Sequence, residues 1–273
     1  MEIYFLSASE KERVDFDGST FGISEMDVFR HELSYETKNG VITKFKREIS
    51  EKEVEINISD DKEGSWQEHY SRLQDILDKD NFANMRGKLY VNGYYLMCNV
   101  YAVETEDQFR NWCDFQTCTL KIITDRPEWI KEHPCAFKAS EVTSTNNKRY
   151  AGRYAYRYAN GLNNTYITNE NFMECNFKMR IYGPCTKPSV YIGGYEYYVN
   201  IVLQAGEYLE IDTAAETVAK VMTSGIRVNA FNNRSFANSV FRKVQTGKQE
   251  IFWDGKFDFD LILYEERSEP KWR

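Results

Sequence analysis

The chain has 273 residues, 42% of them hydrophobic and 15% aromatic, with only 5 prolines. It is long enough to bury one large core or two ordinary ones, and too poor in proline for a disordered or linker-rich protein. The formal net charge of -7 is unevenly placed: residues 1–133 hold 17 Lys and Arg against 27 Asp and Glu, and residues 134–273 hold 18 against 15. An acidic surface lacks the cationic footprint that reading nucleic acid by sequence requires.

The N-terminus, Met1-Glu2-Ile3-Tyr4-Phe5, has neither the basic region nor the small-residue cleavage site of a signal peptide, and no run of about 18 apolar residues could span a bilayer. The expectation is a soluble protein made in a cytoplasm, with no membrane contact. Six cysteines, Cys98, Cys113, Cys118, Cys135, Cys175 and Cys185, are spread over a chain with a large core, which favours reduced thiols over a disulfide framework.

Asn39-Gly40 lies between apolar runs and predicts a hairpin pairing Leu33–Glu36 with Val41–Arg47, since a type I′ turn needs positive φ at both central positions. Glu51, Glu53 and Glu55 alternate with Val54 and Ile56, as on the wet face of a strand. Ser65-Trp66-Gln67-Glu68 is a capping box, and Trp66, Tyr70, Leu73, Ile76 and Leu77 follow at helical spacing, so a helix is predicted over about Trp66–Asp78. Asn92-Gly93 predicts a second hairpin, joining Leu89–Val91 to Tyr95–Tyr101. The strand Gln116–Thr124 ends in Asp125-Arg126-Pro127. His133-Pro134 then forces extended backbone, which places a domain boundary near residue 133.

Beyond it, Lys148-Arg149-Tyr150 and Arg153-Tyr154-Ala155-Tyr156-Arg157-Tyr158 interleave basic and aromatic residues. Such a composition could stack bases or sugars, but it fits sheet packing or a protein contact better. Phe177, Met179 and Ile181 share one face of a strand, as do Tyr197, Val199, Ile201 and Leu203; Leu209 and Ile211 point opposite to Glu210 and Asp212. Asp254-Gly255 predicts a third hairpin, between Glu250–Trp253 and Lys256–Leu263. Short strands separated by glycine turns, with no helix between them, read as a β-sandwich over residues 134–273, behind an N-terminal β-rich domain with one helix over residues 1–133.

Candidate chemistry is thin. His31, His69 and His133 show no metal-ligand spacing. Cys113 and Cys118, five residues apart on one strand, would face opposite ways. Asp258 and Asp260 share a face at about 7 Å, near the spacing of an inverting glycosidase, but an exposed strand face explains them. Gly183-Pro184 and Gly193-Gly194 precede no helix and so cradle no phosphate. The sequons at Asn57, Asn163 and Asn233 carry no meaning in a cytoplasm. No catalytic, metal or cofactor-binding residue is assigned.

The order Ile181-Tyr182-Gly183-Pro184, Pro188-Ser189-Val190-Tyr191-Ile192, Leu203, Gly206-Glu207-Tyr208-Leu209-Glu210-Ile211-Asp212-Thr213, Thr246-Gly247 and Ile251, closing with Tyr264-Glu265-Glu266-Arg267 and Trp272, resembles the C-terminal half of distal tail (Dit) proteins of long-tailed bacteriophages and related prophage tails. The resemblance implies an N-terminal domain that assembles six copies into a ring at the tail tip, and a galectin-like C-terminal sandwich projecting outward. It implies a connector, not an enzyme, within the virion. Its partners would be other copies of itself, the major tail tube protein, the tape-measure protein, and a tail-associated lysin, fibre or receptor-binding protein. DNA would pass through the channel without specific binding, and an acidic N-terminal half lining that channel would let it slide. The rival expectation is a carbohydrate-binding module, weakened because the sequence has no histidine after His133.

Overall fold

A computed structural model describes residues 2–105, 115–139 and 165–271. Among these the protein is mainly β, with one α-helix. The chain divides into two compact units, Met1–Lys131 together with Glu266–Arg273, and Glu132–Glu265.

The first unit contains β1 (Ile3–Leu6), β2 (Arg13–Asp15), β3 (Phe21–Met26), β4 (Ser34–Lys38), β5 (Val41–Lys46), β6 (Ser50–Ser59), α1 (Trp66–Phe82), β7 (Gly87–Val91), β8 (Tyr94–Thr105), β9 (Phe115–Thr124) and the start of β10 (Trp129–Phe137). Two antiparallel sheets share β8. Its first half pairs with β7, which continues through β1 to β2, while its second half pairs with β9, which continues through β6 to β3. A bulge at Tyr101, between Val100 and Ala102, shifts the register where β8 changes partner, and such an extra residue bends and twists a strand.

The helix closes the core of this unit. Leu73, Ile76 and Leu77 are buried in one cluster with Val54, Ile56 and Ile58 of β6 and Leu96 of β8, each burial contributing about 2 kcal/mol. Its N-terminus is as predicted, with the Glu68 carboxylate accepting from the Ser65 amide at 2.9 Å. Its C-terminus runs to Phe82, past the expected Asp78, because polar residues hold the last turn. Asp80 accepts from the Ala8 amide at 2.9 Å, and Asn81 donates to the Val100 carbonyl at 2.8 Å.

The second unit is a β-sandwich. One sheet has the order β19 (Arg227–Asn229), β18 (Thr217–Val221), β17 (Tyr208–Asp212), β12 (Phe177–Tyr182), β21 (Phe259–Arg267). The other has the order β11 (Thr165–Asn169), β20 (Gly247–Trp253), β14 (Ser189–Ile192), β15 (Tyr195–Tyr198). A short pair, β13 (Cys185–Thr186) and β16 (Val202–Leu203), lies beside them in sequence. Phe177, Met179, Ile181, Leu209, Ile211, Phe259 and Leu261 from the first sheet share one core with Ile167, Val190, Ile192, Tyr197 and Ile251 from the second.

Two of the three predicted hairpins form as type I′ turns, with positive φ at Asn39 and Gly40 and at Asn92 and Gly93. The third does not. Only Gly255 of Asp254-Gly255 has positive φ, β20 pairs with β11 and β14, and β21 pairs with β12, so this turn carries the chain from one sheet of the sandwich to the other. The expected strand through Val199 and Ile201 also breaks after Tyr198. Val199 remains buried, but the Ile201 amide turns back to the Val199 carbonyl at 3.0 Å.

Candidate assembly interface

The β4–β5 hairpin is the one strand pair of the first unit that joins no other sheet among the described residues. Its register sets Tyr35 opposite Phe45 and Thr37 opposite Ile42 on one face, and Glu36 opposite Lys44, Ser34 opposite Lys46 and Lys38 opposite Val41 on the other. One face is therefore apolar and the other mainly basic. On the apolar face Tyr35 is 62% exposed, Phe45 59% and Ile42 50%, and the following Ile49 is 68% exposed. A two-stranded ribbon is marginal by itself in water, and exposing several large apolar side chains together marks a surface that another chain covers.

The root of the ribbon is fastened. Lys52 is on the dry face of β6 and 4% exposed; its amine donates to the Arg30 carbonyl at 2.6 Å, and burial pushes its pKa down. The Asp27 amide donates to the Glu53 carbonyl at 2.9 Å, and His31 pairs with Glu269 at 3.1 Å. A cleft of about 420 Å³ opens between residues 27–34 and 47–51. The alternation of residues 52, 54, 56 and 58 carried the signal for a buried lysine, and the sequence reading passed over it because it followed the glutamates.

The residues singled out in sequence are not gathered into one site. His31, His69 and His133 each meet a single carboxylate, Glu269, Asp61 and Glu265, at 3.1, 2.9 and 2.9 Å. Asp61 is held well below the ordinary carboxylate range by the Thr20 hydroxyl, the amides of Glu63 and Gly64, and His69. Asp258 lies just before β21 and accepts from the Ala139 amide at 2.6 Å and from Lys138 at 3.2 Å, whereas Asp260 accepts from the Tyr182 hydroxyl at 2.6 Å. Both act as structural anchors. Cys118 is buried, and its thiol pKa is pushed up to about 12 by desolvation.

Asn57 donates to Ser24 at 2.5 Å, and Asn233 to the Asn200 carbonyl at 3.0 Å. Gly193 and Gly194 turn the chain from β14 to β15. Cys113, Asn163 and the stretch Lys148–Tyr158 lie outside the described residues. Among the described residues no group of three or more His, Cys, Asp or Glu could hold a metal ion, and no helix is long and apolar enough to cross a membrane.

The sequence reading missed the wet face of the five-stranded sheet as a bonded network. Glu210 accepts from Arg180 at 2.8 Å and from Arg227 at 2.6 Å, and Lys178 pairs with Asp212 at 3.3 Å. Alternation put these residues on one face, but nothing in it told which cation would reach which acid.

No protein-family model and no curated protein matches the chain. Solved structures do. A chain of the phage P2 baseplate in its activated conformation with Ca is 12% identical, with a TM-score of 0.63 over 99% of this chain and 100% of that one. A chain of the p2 baseplate in its activated conformation with Sr is also 12% identical, with a TM-score of 0.63 over 98% and 99%. The SPP1 Dit protein, described as a paradigm of the hub adsorption apparatus in phages infecting Gram-positive bacteria, is 12% identical, with a TM-score of 0.56 over 97% and 99%. At this identity the likeness is one of fold, and it runs nearly end to end.

Proposed function

We propose that the protein is a distal tail protein of a bacteriophage or prophage tail. Six copies form a ring that joins the tail tube to the tail tip or baseplate and leaves a channel for DNA. The ring is built by the first unit, and the sandwich is its outward, galectin-like arm. Its work is assembly through protein surfaces, with no reaction. The partners are the major tail protein, the tape-measure protein, and a lysin, fibre or receptor-binding component. A fold shared nearly end to end with phage baseplate and hub proteins supports this reading. The observation that carries it is the detached ribbon, whose exposed Tyr35, Ile42 and Phe45 call for another chain. Solution mass together with negative-stain images tests it: a six-fold ring with a central hole is expected, and compact monomers at every soluble concentration would refute it.

A second reading is a saccharide-binding role for the sandwich. It is favoured by one outward sheet face where Tyr166 stands opposite Glu250, and Tyr191 stands between Phe252 and Glu196. Aromatic planes beside carboxylates suit a sugar. Binding of the full chain to a glycan array would support it, and a blank array would remove it.

A further inference from the structure

The ribbon needs a seat, and its charge narrows the search. Residues 34–47 hold Lys38, Lys44, Lys46 and Arg47 against a single acid, Glu36, inside a half of the chain that is otherwise rich in acid. Lys46 is paired with Glu36, while Lys38 and Lys44 have no ion-pair partner among the described residues. A cationic ribbon in an acidic unit fits an acidic surface on a second copy.

Such a surface lies on the outer face of the β3–β6–β9–β8 sheet. Glu51, Glu53 and Glu55 line β6 there, Glu25 of β3 stands directly opposite Glu55, and Glu104 extends from β8. Like charges opposite one another on a sheet repel, and Glu25, Glu51 and Glu55 have no ion-pair partner among the described residues, while Glu53 shares its cross-strand neighbour Lys121 with Glu104. The nearby cation, Lys121, is taken by Glu104 at 2.5 Å. In the middle of these acids, Tyr101 is half exposed at its bulge and donates to Glu51 at 3.4 Å, with Ile123, directly opposite Glu51 on β9, partly buried beside it. An apolar centre with an acidic rim is the complement of a two-stranded ribbon whose apolar face lies down on it, because lysines rooted on the ribbon's other face have stems long enough to carry their amines round its edge.

We propose that the ribbon of one copy seats Tyr35, Ile42 and Phe45 over Tyr101 of the next copy, with Lys38 and Lys44 reaching Glu51, Glu53 and Glu55. This inference rests on the ring-forming role and names the contact that builds the ring. Because ribbon and seat are different surfaces of one chain, the contact is head-to-tail, the type that closes into rings.

The test is a charge exchange. The variant K38E/K44E reverses the ribbon and E51K/E53K reverses the seat; in sedimentation velocity, each alone is expected to weaken self-association by about ten-fold or more. Mixed, the two are expected to reassemble in alternation at a one-to-one ratio, since each ribbon then meets a seat of opposite sign. The variant K38E/K44E/E51K/E53K, with both reversals in one chain, is expected to assemble by itself, which keeps the result decisive should either double variant fold poorly. If E51K/E53K assembles as the unaltered protein does, or if neither the mixture nor the fourfold variant recovers, the seat is elsewhere and this inference is overturned while the ring stands. If the unaltered protein never self-associates, both fall.

Discussion

Glu210 shows how a single residue can be read correctly in direction and wrongly in environment. Alternation along β17 sends it away from the core, yet it is 5% exposed because Arg180 and Arg227 close over it. Burial pushes its pKa up, but the two guanidiniums outweigh that and hold it below the ordinary glutamate value. A depressed acid stabilises the fold above its unfolded pKa of about 4.3 and loses that contribution as pH falls through the folded value. Glu210→Ala is therefore expected to cost on the order of 2 kcal/mol at neutral pH in urea unfolding. Glu210→Gln should flatten the loss of stability below about pH 4.3 relative to the unaltered protein. Lys52 has the opposite sign. Its amine is buried and its pKa lowered, so its charge is a cost that disappears as pH rises from the folded value towards the free-lysine value of about 10.4. Lys52→Ala is expected to speed amide exchange in residues 27–33 first, because the bond to the Arg30 carbonyl holds that segment. These long-range partners were illegible in the sequence, since alternation fixes a side chain's face and not the residue that meets it.

At the scale of elements, no residue of the ribbon belongs to the buried core of its unit among the described residues. Replacing residues 34–46 with a short Gly-Ser linker should leave the thermal melting midpoint nearly unchanged and abolish assembly in sedimentation, whereas a large drop in the midpoint would show that the ribbon supports the fold. Legibility followed local chemistry. Asn39-Gly40 and Asn92-Gly93 were readable because both residues of each pair take positive φ, the requirement of the tight turn. Asp254-Gly255 has the same letters, but only its glycine does so, and the flanking strands found partners in different sheets. The first turns of α1 were readable from apolar spacing, but its last turn was not, because Asp80 and Asn81 serve it by bonding to the backbones of other elements.

For the whole molecule, two β-rich units and an order of turns were enough to suggest the fold shared with the SPP1 and P2 proteins, at an identity of 12%. Geometry can be shared at so low an identity because alternation and turn chemistry constrain residue classes rather than residues. Interfaces lack that protection, so the exposed face of the ribbon could be seen only once the hairpin was placed clear of every other sheet. If the lysines on its other face guide assembly, self-association should weaken steadily as salt shortens the reach of surface charge, in sedimentation from about 0.05 to 0.5 M. A salt-independent mass would mean that the apolar face acts without them.

The path of the chain between its two units also sets an order in time. Residues 132–265 interrupt the first unit, which is completed only by Glu266–Arg273. A ribosome releases the whole sandwich before it releases the segment that brings Glu269 to His31. The core of the ribbon-bearing unit, which lies wholly between Ile3 and Trp129, is therefore made first, and only the fastening of His31 at the root of the ribbon waits until the sandwich is complete.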